Sequence, residues 1–158
     1  MIEYELIKEF YDGSFAKRSG LPYINHIDEG LVILDHLKVE ETTKAAFCLH
    51  PILQETFYFD FDFKESRIKS IILATEYRNI ANSYLSNGTI DRFIGISCDE
   101  IRQMLIADKV QNYKDFIRYI FEEDKHSRYN LKLLSYFIDW FEVLGINEEV
   151  EELIKLID

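Results

Sequence analysis

Apolar positions recur along this chain at the three-to-four-residue spacing of helix faces, and that period predicts most of its elements. Over residues 2–18, Leu6, Ile7, Phe10, Tyr11 and Phe15 share one face, which predicts a first amphipathic helix that Gly13 weakens without ending. Ser19-Gly20-Leu21-Pro22 reads as a turn, because Pro22 pushes Leu21 out of helical geometry. A second helix is expected from about Asn25 to Leu37, with Ile27, Leu31, Leu34 and Leu37 inward. A third starts near Glu40 or Glu41, where acidic side chains suit the positive end of the helix, and carries Ala45, Ala46, Leu49 and Ile52. Pro51 falls inside that run. It removes a backbone donor and crowds the carbonyl of residue 47, at roughly 3 kcal/mol or more, so the helix is expected to kink or end around His50.

Phe57-Tyr58-Phe59-Asp60-Phe61-Asp62-Phe63 alternates with period two, but no second strand is evident to pair with it, which leaves an irregular segment anchored by its aromatics. Asp60 and Asp62 do not make a calcium loop, since the required glycine and other ligand positions are missing. From about Glu65 to Ser86 a long helix is expected, with Ile68, Ile72, Tyr77, Ile80 and Tyr84 inward and Asn87-Gly88 ending it. Ser97 and Glu100 form a capping box for a helix from Cys98 to about Asn112 or beyond, and the helical pattern resumes through Phe121. Arg128 to Leu144 reads as a helix closed by Gly145, with Tyr136, Phe137, Trp140, Phe141 and Leu144 as a core stripe. Asn147 caps a last helix bearing Val150, Leu153, Ile154 and Ile157. The sum is an all-α domain of 158 residues, a bundle of about seven to eight helices.

Composition narrows the function classes. An apolar content of 47% excludes disorder. A net charge of −11 disfavours nucleic acid or an anionic membrane as the main partner, yet leaves room for a small anion where a cation inverts the local field. Only two cysteines, Cys48 and Cys98, both in apolar helical context, fit a reducing cytoplasm better than a disulfide framework. No stretch reaches the ~18 apolar residues of a spanning helix, and the opening residues, with Glu3 and Glu5, do not read as a signal peptide. His36 and His126 have no motif around them and are expected at the surface.

Two polar residues break apolar helical runs. His50 follows Phe47 and Leu49, and Asp108 follows Met104 and Leu105; burying either is costly unless it finds a partner. A cation shared with His26 would satisfy both, since two imidazoles and a carboxylate suit a first-row transition metal.

Three segments carry a resemblance. Lys17-Arg18-Ser19-Gly20-x-Pro22-Tyr23-Ile24-x-His26, then Ala45-Ala46-x-x-Leu49-His50, then Ala107-Asp108-Lys109-x-x-Asn112, together resemble the hydrolase domain of the RelA/SpoT group, and especially the stand-alone guanosine tetraphosphate hydrolases of the HD superfamily. The likeness covers about residues 4–125 and implies an HD-domain-like helical bundle. It implies that His26, His50, residue 51 and Asp108 stand at metal positions, usually for manganese, and that Asn112 helps hold a nucleotide. Lys17, Arg18 and Tyr23 fall on the segment that meets phosphate or base. The implied metal is a divalent cation such as Mn²⁺ and the implied partner a phosphorylated nucleotide. Asp108 and Asn112, four apart, share one helical face, which suits a metal ligand beside a substrate contact.

The departures bear on chemistry. The family's His-Asp is His50-Pro51 here, so one metal-ligating carboxylate is lost. Its Glu-Asp pair, thought to position or activate water, falls on Gln54 and Glu55; Gln54 cannot accept a proton, whereas Glu55 keeps a carboxylate. Lys17 stands for an arginine and loses its planar, bidentate geometry. Three protein ligands suffice for a catalytic metal with open positions. Two function classes therefore stay open: a metal-dependent nucleotide phosphohydrolase, or an inactive relative that binds a nucleotide, a protein partner or another copy of itself.

Overall fold

The computed structural model describes residues 1–17, 19–55, 67–87 and 98–158, apart from the side chains of residues 55, 83–87 and 123. These residues form seven α-helices and no strand: α1 Ile2–Phe10, α2 Ile24–His36, α3 Glu41–Glu55, α4 Ile68–Asn87, α5 Asp99–Tyr119, α6 Arg128–Leu144 and α7 Val150–Lys155. A single turn of 3-10 helix, Phe121–Glu123, joins α5 to α6. The bundle is built around α3 and α5. The first packs against α1, α2 and α4, the second against α2, α4, α6 and α7, and the two touch each other. Among the described residues no helix is long and apolar enough to cross a membrane.

Several boundaries differ from expectation. Helix α1 stops at Phe10 rather than running to residue 18, and Phe15 is 58% exposed rather than inward. The helix ends at its cap Tyr11, and two residues on Gly13 adopts φ +65°, a left-handed conformation cheap only for glycine that keeps the chain from resuming the helix. Beyond it the chain folds back on itself. Tyr23 N donates to Ser14 O and Ala16 N to Leu21 O, which sets Ser19–Tyr23 as a short loop leading into α2.

Helix α3 continues through Pro51 to Glu55 instead of ending at His50. Helix α5 runs unbroken from Asp99 to Tyr119, with every residue from Met104 to Gln111 buried. In α4 the inner face is Ser70, Leu73, Ala74, Tyr77 and Ala81, while Ile68 and Ile72 are 77% and 53% exposed. The small Ala74 and Ala81 let α4 approach its neighbours, and that close packing outweighs the larger apolar area of the two isoleucines. Ile80 is half-buried; the side chain of Tyr84, Ser97 of the capping box and the aromatic run 57–63 lie outside the described residues.

Helix α6 matches its expected bounds. Ser127 caps it by accepting from Asn130 N at 3.0 Å, and Gly145 closes it at φ +66°. Phe137, Trp140, Phe141 and Leu144 are buried as expected, with Tyr136 half-buried. Glu149, not Asn147, precedes the last helix. His36 and His126 are exposed.

Candidate metal centre

Helices α2, α3 and α5 each bring one ligand-type side chain to a common point. His26 enters from the first turn of α2, His50 from the interior of α3 and Asp108 from the buried middle of α5. The Nε2 atoms of the two histidines are 3.4 Å apart, and Asp108 Oδ1 lies 3.4 Å from His26 Nε2 and 3.9 Å from His50 Nε2. A point equidistant from the three atoms is about 2.1 Å from each, the length of a metal bond to imidazole or carboxylate. His50 and Asp108 are buried and His26 is half-buried.

The orientation of each ring is fixed from behind. His26 Nδ1 donates to Gln111 Oε1 at 2.6 Å. Gln111 cannot be turned round, because its amide nitrogen donates to Glu29 Oε2 at 3.0 Å and Asp115 Oδ2 at 2.8 Å. Two carboxylates demand the donor end of that amide, so its oxygen must face His26. Nδ1 therefore carries a proton, and Nε2 points at the centre.

His50 reaches the same state by another route. Pro51 has no N–H to offer the carbonyl of Phe47, four residues back, and His50 Nδ1 donates to that oxygen at 2.5 Å. Its Nε2 also faces the centre. Burial, with His26 close by, pushes the His50 imidazole down to about 3, so it is neutral near pH 7. Three ligand-type atoms thus face one another, an arrangement that asks for a cation or a proton between them.

Asp108 is held by two side chains of its own helix and by Tyr77 of α4, whose hydroxyl donates to its carboxylate. Asn112 Nδ2 donates to Asp108 Oδ1 at 2.8 Å and to its backbone carbonyl at 2.9 Å. Lys109 Nζ lies 2.6 Å from Asp108 Oδ2 and sits over the rings of Trp140 at 5.1 Å and Tyr136 at 5.6 Å. Burial alone would raise the Asp108 carboxyl, but the charge and hydrogen bond of the Lys109 ammonium outweigh it and hold the group well below the carboxylate range. Lys109 is raised, its burial overcome by Asp108.

The centre opens into a cleft of about 250 Å³ lined by Tyr11, Ala16, Ser19, Leu21, Pro22, Tyr23, His26, His50, Pro51, Gln54, Asp108, Gln111, Asn112 and Asp115. Of the residues read from sequence, His26, His50, Asp108, Tyr23, Asn112 and Gln54 come together here. Tyr23 stacks on Tyr11 at 5.2 Å on the rim. Pro51 takes the place where a fourth ligand is implied and is buried. Lys17 is exposed and does not line the cleft; Arg18 and the side chain of Glu55 lie outside the described residues. Sequence reading assigned no role to Lys109, Gln111, Glu29 or Asp115. The available signal was the run Asp108-Lys109-Val110-Gln111, three polar residues within four positions of a helix whose apolar spacing already placed it in the core.

No protein-family model, curated protein or solved structure matches this chain.

Proposed function

We propose that this protein is a metal-dependent phosphohydrolase of HD type, acting on a phosphorylated nucleotide through a site reduced to three protein ligands. The observation that carries the reading is the convergence of His26 Nε2, His50 Nε2 and Asp108 Oδ1, each set from behind so that it points inward. The donor set fits a first-row dication such as Mn²⁺ or Zn²⁺. When bound, such an ion supplies Lewis acidity, acidifying a water and offsetting charge that develops on phosphoryl oxygens.

The chain's own residues have distinct tasks in this reading. Asn112 holds the Asp108 carboxylate in place and lines the cleft, where it can also meet the nucleotide. The stacked pair Tyr11 and Tyr23 offers an aromatic wall for a base. Lys17 and Arg18 precede the loop at the mouth and suit an incoming phosphate chain. Gln54 orients water by hydrogen bonding, and Glu55, next to it at the end of α3, is the nearest residue in sequence that can take a proton. Two free thiols, Cys48 and Cys98, accord with a reducing, cytoplasmic setting.

One observation favours a second reading. Pro51 and Gln54, which line the cleft where the family carries carboxylates, can neither ligate as an anion nor accept a proton. A relative that binds the nucleotide, or a protein, without turning it over would tolerate both. Metal analysis of the purified protein, with His50→Ala in parallel, asks whether a cation is held. Incubation with guanosine tetraphosphate and a panel of nucleoside phosphates, with Asp108→Ala alongside, reads turnover. Metal-dependent hydrolysis lost in Asp108→Ala supports the enzyme; binding without turnover supports the second reading; no bound metal in excess Mn²⁺, with and without phosphate, overturns the first.

A further inference from the structure

We infer that this site takes up a dication and a phosphoryl anion cooperatively, each strengthening the binding of the other, and that Lys109 imposes the coupling by consuming the charge of Asp108. The inference rests on the metal-centre reading and adds to it a coupling between two ligands.

The argument is one of charge. The three converging groups are two imidazoles, which ligate a metal only as neutral donors, and one carboxylate, whose outer oxygen is already paired with the Lys109 ammonium at 2.6 Å. That ammonium is not free to leave, since it is buried and lies over Trp140 and Tyr136. The protein cage therefore offers a dication no net negative charge. An ion placed there stays under-neutralised in a buried setting, where charge is costly, until an outside anion completes its shell.

The reverse dependence follows from the cleft. No described lysine or arginine lines it, whereas Asp108 and Asp115 do. Lys114, which reaches the same carboxylates, is committed to Glu29 and to Asp115 at 3.0 Å. Among the described side chains around the centre, three carboxylates (Glu29, Asp108 and Asp115) face two ammoniums (Lys109 and Lys114), which leaves the metal-free cleft one charge negative. A phosphoryl group that reaches the centre alone meets that negative field, since Lys17 is exposed and does not line the cleft. After a dication the sum is positive by one, and the same group is attracted. Each ligand thus supplies the charge that the other needs, and by linkage the two couplings are equal.

The test uses the wild-type chain with Mn²⁺ and inorganic phosphate as probes. Mn²⁺ is titrated calorimetrically without and with phosphate, at matched free Mn²⁺, and phosphate is titrated with chelator and with saturating Mn²⁺. The expected result is no phosphate binding in chelator, and an affinity for Mn²⁺ at least fivefold higher with phosphate present. Phosphate binding equally well to metal-free protein overturns the inference. So does tight Mn²⁺ binding indifferent to phosphate, which would leave the metal-centre reading intact. Absence of Mn²⁺ binding under both conditions defeats the metal-centre reading itself. Lys109→Met, checked for folding by circular dichroism, is expected to bind Mn²⁺ more tightly alone and to lose most of the phosphate enhancement. An unchanged enhancement in a folded Lys109→Met overturns the role given to Lys109, and the wild-type titrations decide the coupling if that variant does not fold.

Discussion

His50 donates from Nδ1 to the carbonyl oxygen of Phe47, the acceptor that Pro51 leaves without its helical partner. A proline inside a helix is ordinarily a defect: one hydrogen bond is lost and a carbonyl is stranded. Here the stranded carbonyl selects the tautomer of a ligand-type histidine and aims its other nitrogen at Asp108 and His26. Pro51→Ala restores the missing N–H and gives that carbonyl a competing donor. The metal-free variant is expected to be more stable by about 1 kcal/mol or more against urea, yet to bind Mn²⁺ about tenfold more weakly. Equal Mn²⁺ affinity in the two proteins would remove any positioning role for Pro51.

Gln111 is a second support, on the opposite side of the centre. Gln111→Leu keeps the volume but leaves His26 Nδ1–H without its acceptor and takes a donor from both Glu29 and Asp115. A loss of about 2–4 kcal/mol in unfolding free energy is expected from the buried groups left unpaired. Mn²⁺ affinity is expected to fall about tenfold as the ring loses its fixed orientation. Urea unfolding and Mn²⁺ titration check the two effects separately.

Acid sensitivity has a defined source. His50 is neutral in the fold, its imidazole lowered from 6.5 to about 3 by burial and by His26. Below pH 6.5 the unfolded chain binds a proton that the folded chain refuses, so stability falls as pH falls, by about 1.4 kcal/mol per pH unit between 6.5 and 3. Above pH 6.5 this contribution is constant. Urea unfolding in chelator at several pH values from 4.5 to 7 measures the slope, and His50→Gln is expected to flatten it. The same slope in the variant would assign the acid response to other groups.

The buried pair of Asp108 and Lys109 sets up a double-mutant cycle. Asp108→Asn leaves an ammonium buried among Trp140 and Tyr136 with no counter-charge, and is expected to cost about 3–5 kcal/mol. Adding Lys109→Met to Asp108→Asn removes that orphan and is expected to return about 2 kcal/mol of the loss. Additive effects of the two substitutions would show that the ion pair contributes nothing to stability.

Gly30 separates two opposing rules. In a helix interior Gly→Ala is ordinarily stabilising by about 0.5–1 kcal/mol. A methyl group at position 30 of α2, however, would overlap the ring of Phe47 on α3, with contacts to Cε1 and Cζ closer than side chains allow. Gly30→Ala is therefore expected to destabilise by about 1–3 kcal/mol and, since α2 and α3 carry His26 and His50, to loosen Mn²⁺ binding as well. Thermal unfolding decides the sign.

The site was more legible than the boundaries around it. His50 and Asp108 stood out because each put a polar group into an apolar helical run, and such a group is costly to bury alone. The core stripe of α6 was readable for the same reason, since Trp140, Phe141 and Leu144 leave little choice of face. Helix α4 was misread at Ile68 and Ile72 because periodicity locates a face only to within one position, and small Ala74 and Ala81 packed inward instead. That the helix does not resume after Tyr11 turned on the backbone of Gly13, whose left-handed conformation is open to any glycine but required of none.

By itself the sequence determined the helical class and the three side chains with reason to meet, since both follow from hydrophobic period and from the cost of burying polar atoms. The tertiary structure alone decided how those side chains are aimed. The amide of Gln111 and the carbonyl freed by Pro51 act at hydrogen-bond range, across helices or along one turn, and the Lys109 ammonium finds its counter-charge in the neighbouring Asp108 only because both are buried together. Direction at that range depends on which atoms are brought within 3 Å of one another, and no one-dimensional pattern encodes it.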